Sequence, residues 1–167
     1  MPTPLFKIDP GILVKIYDKY HTKSEYIIKH DTYQLCEIDG FGFLTVDKIA
    51  MDQDPDVMDT DARYKAIVNY VMTENEQSGS LYMKLSEFQN KVVSTYNHNL
   101  NSHKNANDIL KKMWNVCDDI LVKVSENIVG LAKVYSREKS TAEYIVASCN
   151  FIIKEIKDIH SVIRSII

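Results

Sequence analysis

The stretch from Leu35 to Ala50, L-C-E-I-D-G-F-G-F-L-T-V-D-K-I-A, constrains this chain more than any other. An apolar lead-in meets a Gly-Phe-Gly turn, and an amphipathic run follows. Gly40 and Gly42 can take backbone angles closed to other residues, so the chain can reverse tightly there. Past the turn, Leu44, Thr45, Lys48 and Ile49 recur at helical spacing. The pattern predicts a short helix, a glycine hairpin and a second short helix. The N-terminus of that second helix would carry unpaired N–H groups and a partial positive charge, which suits a phosphate. The candidate phosphate-binding residues are Gly40, Phe41, Gly42, Thr45 and Lys48. The competing reading is a tight turn between two apolar runs, with no ligand.

Composition narrows the class. The 167 residues, 45% of them hydrophobic, suffice for one large or two small packed domains. No apolar run approaches the length of a membrane span. The N-terminus lacks the charged and apolar regions of a signal peptide, so a cytoplasmic location is expected. Cys36, Cys117 and Cys149 are odd in number and far apart, which fits buried thiols better than disulfides. The net charge of −3 argues against strong nonspecific binding to nucleic acid. Any DNA contact would rest on backbone donors and a few lysines.

Taken in order, Ile12, Leu13, Ile16, Tyr17 and Tyr20 form a helical stripe. Residues 21–37 read as two short connecting helices, with capping-box patterns at Thr22/Glu25 and Asp31/Gln34. Residues 51–60 read as an acidic loop. Their Asp52-x-Asp54-x-Asp56 spacing lacks the glycine and glutamate of a calcium loop, so no metal site is expected. Helix 61–77 ends at Gly79, and a short strand falls near Leu81–Met83. Ser86 and Gln89 suggest a cap for a helix through about Tyr96. Helix 105–116 has the clearest periodicity, and residues 119–135 read as a β-hairpin. Ser140 and Glu143 then suggest the cap of a long C-terminal helix striped by Ile145, Cys149, Ile152, Ile156, Ile159 and Ile163.

The longer pattern Asp31-Thr32-Tyr33-Gln34-Leu35, Ile38 to Phe43 and Val46-Asp47-Lys48-Ile49-Ala50 resembles the N-P-Y-x-L … G-I-G-F-x-x-A-D-x-I-A region of RecD-like bacterial DNA helicases, relatives of the exodeoxyribonuclease V alpha subunit. Leu13 to Tyr20, Arg63 with Tyr70, Gly79 and Tyr82, and Ala142 to Ala147 resemble weaker patterns of the same family. Where the family has a first Gly-x-Gly turn, this chain has Lys7-Ile8-Asp9. The resemblance implies helix-hairpin-helix elements ahead of an ATPase motor that serves DNA repair and recombination. It also implies ATP and magnesium for that motor, and motor domains of the same polypeptide as partners. None of the five glycines of this chain begins a phosphate loop, so no cofactor is expected here and the chain is read as part of a longer enzyme.

The resulting expectation is a mostly α fold. A helix-hairpin-helix region spans residues 1–51, an acidic linker 52–60, and a winged-helix-like α+β segment 61–167 with one β-hairpin and a long C-terminal helix. The expected role is non-catalytic: weak, sequence-independent DNA binding through backbone phosphates, or positioning of the motor. One alternative is a docking module without DNA affinity. Another is a stand-alone winged-helix regulator, which should be a dimer and for which no zipper pattern is evident.

Overall fold

The computed structural model describes residues 8–166, with side chains through residue 159. Helix α1, Pro10–Tyr20, is launched by Asp9, whose carboxylate accepts the Gly11 amide at 2.8 Å, and by Pro10 in the first helical position. A 3-10 turn, His21–Lys23, leads into α2, Ser24–His30. A second one, Thr32–Glu37, leads to the glycine turn and α3, Phe43–Gln53. Ile16, Ile27, Ile28, Leu35 and Val46 pack together as the core of this part.

The second core belongs to α4 (Asp61–Gln77), α5 (Leu85–Asn97), α6 (Ala106–Val116) and a three-stranded sheet. Tyr64, Ile67, Phe88, Tyr96, Ile109 and Met113 fill it. Strands β1 (Tyr82–Lys84), β2 (Leu121–Ser125) and β3 (Ile128–Leu131) run antiparallel in the order β1-β3-β2. Helix α4 stops where Gly79 takes a φ of +94° and the Ser80 amide returns to the Asn75 carbonyl at 3.2 Å. Helix α7, Ala132–Ile166, follows β3 directly. The fold is mostly α, as expected.

Several local expectations change. Neither Thr22 nor Asp31 caps a helix with its side chain, because both lie in or beside 3-10 turns. Helix α5 starts at Leu85, so Ser86 sits inside it, and Lys84 precedes it without a side-chain cap. The hairpin's second strand ends at Leu131 rather than at Tyr135, and Ser140 and Glu143 lie within α7. The β-branched run stops there, and the following Ala, Lys, Arg and Glu favour helix. Residues 51–60 are not an open loop: α3 continues to Gln53, and Asp54 caps a 3-10 turn, Pro55–Asp59, by accepting the Asp56 amide at 2.9 Å. Of the cysteines, Cys117 is buried, whereas Cys36 and Cys149 are exposed. Lys7 of the first turn and the side chain of Ile163 lie outside the described residues.

The Asp59 carboxylate accepts from Lys104 at 2.7 Å, from Tyr64 at 3.0 Å and lies 3.2 Å from Lys112. Burial opposes its charge, but these hydrogen bonds win and hold its pKa down at about 2. A depressed carboxylate contributes stability above its unfolded pKa and loses it as pH falls. Urea unfolding should therefore show wild type losing stability between about pH 4 and pH 2, relative to Asp59→Asn. The side chain is 47% exposed, so the differential should stay below about 1 kcal/mol.

Candidate nucleic-acid interface

The glycine turn is built as the spacing requires. Ile38 is extended, and the Phe41 amide donates to its carbonyl at 2.9 Å. Gly40 holds a φ of +85°, a backbone region that L side chains rarely adopt. Gly42 sits at the N-cap of α3 with a φ of −70°, and a Cβ built on it would meet nothing within 4 Å. Its carbonyl accepts the Thr45 and Val46 amides at 3.1 and 3.2 Å. No side chain caps α3, and with the Thr45 amide engaged by the Gly42 carbonyl the first-turn amides without a cap partner are those of Phe43 and Leu44.

Gly40, Gly42, Thr45 and Lys48 are all exposed around this end. Phe41 is different: its ring is buried in the first core and its amide is engaged in the turn. It anchors the hairpin. A cation that sequence reading missed joins the group. Lys15 reaches from α1 to lie 5.9 Å from the Phe41 ring centre and 3.7 Å from where a Cβ on Gly40 would stand. No linear signal connects Lys15 to a turn 25 residues on; the packing of α1 brings them together.

The acidic neighbours of the hairpin have unequal weight. Lys19 donates to the Glu37 carbonyl and lies 3.9 Å from its carboxylate. Asp47 is wholly buried on the far face of α3 and bound in two places by Arg63 of α4, at 2.7 and 2.9 Å. Its charge is therefore compensated before any ligand arrives. Asp39 remains at the turn itself and, with Glu37, Glu74 and Lys133, lines a cleft of about 840 Å³ between the hairpin and α4. Gly40, Phe41, Gly42 and Phe43 line the same cleft, so these carboxylates oppose an anion at the turn amides, whereas Thr45, Lys48 and Lys15 lie outside its lining.

The Asp47–Arg63 pair fixes how the hairpin sits. Tyr33 donates to Asp47 at 2.7 Å, and Asn99 donates to it at 3.0 Å and to the Leu44 carbonyl at 3.3 Å. Arg63 also donates to the Tyr96 and Met58 carbonyls at 2.8 and 3.2 Å and stacks on the Tyr96 ring at 4.4 Å. Burial works against the Arg63 charge, but Asp47 more than offsets it and raises its pKa. Burial and then the Asp47 charge raise that of Tyr33. The network ties α3 to both α4 and α5.

The lysines around α6 are arranged less favourably for reading a groove. Lys104 and Lys112 are drawn to Asp59, and Trp114, half-buried, packs against Phe88 and under Lys123. No triad of His, Cys, Asp or Glu suited to a metal ion occurs among the described residues. No helix among them is long and apolar enough to cross a membrane. The glycine turn lacks the Lys-Ser/Thr of a nucleotide-binding loop, so these residues do not fit ATP and magnesium.

Residues 5–82 match the family of the helix-hairpin-helix domain of the ATP-dependent RecD2 DNA helicase. The match covers α1 through α4, ends on Tyr82 at the start of β1, and includes every hairpin residue discussed above. No curated protein and no solved structure matches the chain.

Proposed function

Because residues 5–82 match the RecD2 helix-hairpin-helix family, we propose a non-catalytic module that holds DNA by its backbone phosphates beside a helicase motor. The observation that carries this reading is the uncapped N-terminus of α3, with Gly42, Thr45 and Lys48 exposed around it. First-turn amides and the helix dipole favour an anion, and Thr45 and Lys48 add a hydroxyl and a charge. Gly40 supplies the turn, Phe41 the anchor and Lys15 a second cation. With so few contacts and a net charge of −3, binding is weak and independent of sequence. Motor domains of the same polypeptide would supply the remaining affinity, and the chemistry of ATP and magnesium with it. The helix–strand–helix–helix–strand–strand order from α4 to β3 is that of a winged helix. With Lys104 and Lys112 held by Asp59, we assign it to packing rather than groove reading.

Fluorescence anisotropy with labelled single- and double-stranded DNA tests the proposal. Two phosphate contacts predict about a tenfold loss of affinity to duplex between roughly 50 and 200 mM salt. Lys48→Glu should weaken binding and leave the urea midpoint unchanged, because the side chain stands in open solvent, and Gly42→Val should weaken binding at a cost of up to about 1 kcal/mol, because Val is a poorer N-cap than Gly. Gly40→Ala should instead cost about 1–2 kcal/mol of stability through its positive φ. Absence of binding at low salt by the folded wild-type chain would sink the phosphate reading and leave a docking module.

A further inference from the structure

We infer that α7 joins copies of this chain in a parallel coiled coil whose seam is formed by Ile145, Cys149, Ile152, Ile156 and Ile159. This inference is independent of the DNA reading. Residues 136–159 of α7 are exposed along their length, with Ser148 half-buried. Yet the helix is rich in large apolar residues: Ile145, Ile152, Ile156 and Ile159 are 54, 54, 52 and 59% exposed. A contiguous exposed apolar surface of this kind marks an interaction site.

Its period identifies the occupant. From Ala142 through positions 145, 149, 152, 156, 159 and 163 to Ile166, apolar residues follow in alternating steps of three and four. That is a heptad repeat with Ala142 and Cys149 at a positions and Ile145 and Ile152 at d positions. An α-helix has 3.6 residues per turn, so such a seam stays in register only against helices that supercoil with it. The 25 residues from 142 to 166 span about three and a half heptads, the length at which the pattern signals a coiled coil.

The seam suits a second copy. Every a and d position in it is apolar, so identical chains close on one another without burying a charge. Glu143, Lys154, Lys157 and Asp158 fall at the outer b, c and f positions. Glu155 is the one charged residue at an e or g position, and in a parallel, in-register assembly it lies opposite position 160, a histidine, so no like charges meet. An isoleucine at each d position, widened by Val146 and Ile153 at e, favours three strands over two. The arrangement would gather several hairpins at one end of the coil and raise their joint affinity for DNA through effective concentration.

Light scattering after size-exclusion chromatography of the full chain, in the tens of micromolar, should give a mass of two or more chains, with three favoured. Ile152→Asp/Ile156→Asp should reduce it to one chain and leave the cooperative unfolding of α4–α6 in place, since that core does not use α7's outer length. Because a positions face each other in a parallel coil, diamide should link two Cys149 thiols as one disulfide, taking up the two electrons and two protons released. Cys149→Ser should abolish that cross-link. A single-chain mass for wild type overturns the inference, as does an oligomer that survives the double substitution. An oligomer lost in the double variant but never cross-linked through Cys149 overturns the parallel arrangement.

Discussion

Arg63→Ala should cost about 3–5 kcal/mol, a large fraction of the stability of a chain this size. The substitution leaves the Asp47 carboxylate wholly buried with its neutralising partner gone. Tyr33 and Asn99 still donate to it, but neither carries charge. The carbonyls of Tyr96 and Met58 lose a donor in the same step. Asp47→Ala should be comparably harmful, because it strands the guanidinium instead. The paired change Asp47→Leu/Arg63→Met removes both charges together and should recover a large part of the loss. A buried ion pair is costly to break yet often dispensable when replaced whole. Urea unfolding followed by circular dichroism, run as a double-mutant cycle, measures the coupling directly. An Arg63→Ala midpoint within about 1 kcal/mol of wild type would show that the pair is solvated in solution.

That network was invisible in the sequence, and the reason is physical. Asp47 and Arg63 are 16 residues apart on different helices, and nothing in the spacing says which of the many carboxylates turns inward. Read locally, Asp47 is a charge that repels phosphate; folded, it belongs to Arg63. By contrast, the hairpin and α4 were legible because both rest on short-range rules. Glycine supplies the +85° turn at Gly40, and the Ala66, Ile67, Tyr70 and Val71 stripe follows the helical period. Capping boxes at Thr22, Asp31 and Ser86 misled because a Ser, Thr or Asp followed three residues later by Glu or Gln also occurs inside 3-10 turns and helices. The direction from which the chain enters decides whether such a pair caps anything. The placement of Lys15 beside Gly40 is likewise a product of helix packing alone.

The second large effect concerns Phe43, which opens α3 at the hairpin and yet belongs to the core of α4–α6. Its ring is 2% exposed and stacks between Tyr33 at 6.0 Å and Tyr70 at 5.6 Å, so three aromatic rings run from the hairpin's approach to α4. Truncating a buried Phe to Ala removes the transfer energy of the ring and leaves a cavity, together about 3–5 kcal/mol. Phe43→Ala should therefore lower stability by that amount. Phe43→Leu, which keeps most of the volume, should cost appreciably less. The local consequence separates anchoring from mere core packing. If Phe43 pins the N-terminus of α3 to α4, amide exchange at residues 46–50 should accelerate more in Phe43→Ala than exchange within α5 and α6. DNA affinity should fall with it under conditions where the variant is still folded, because the phosphate contact proposed for α3 needs a fixed helix end. Uniform acceleration across both cores, with DNA affinity unchanged in the folded variant, would reduce Phe43 to a core residue with no part in holding the hairpin.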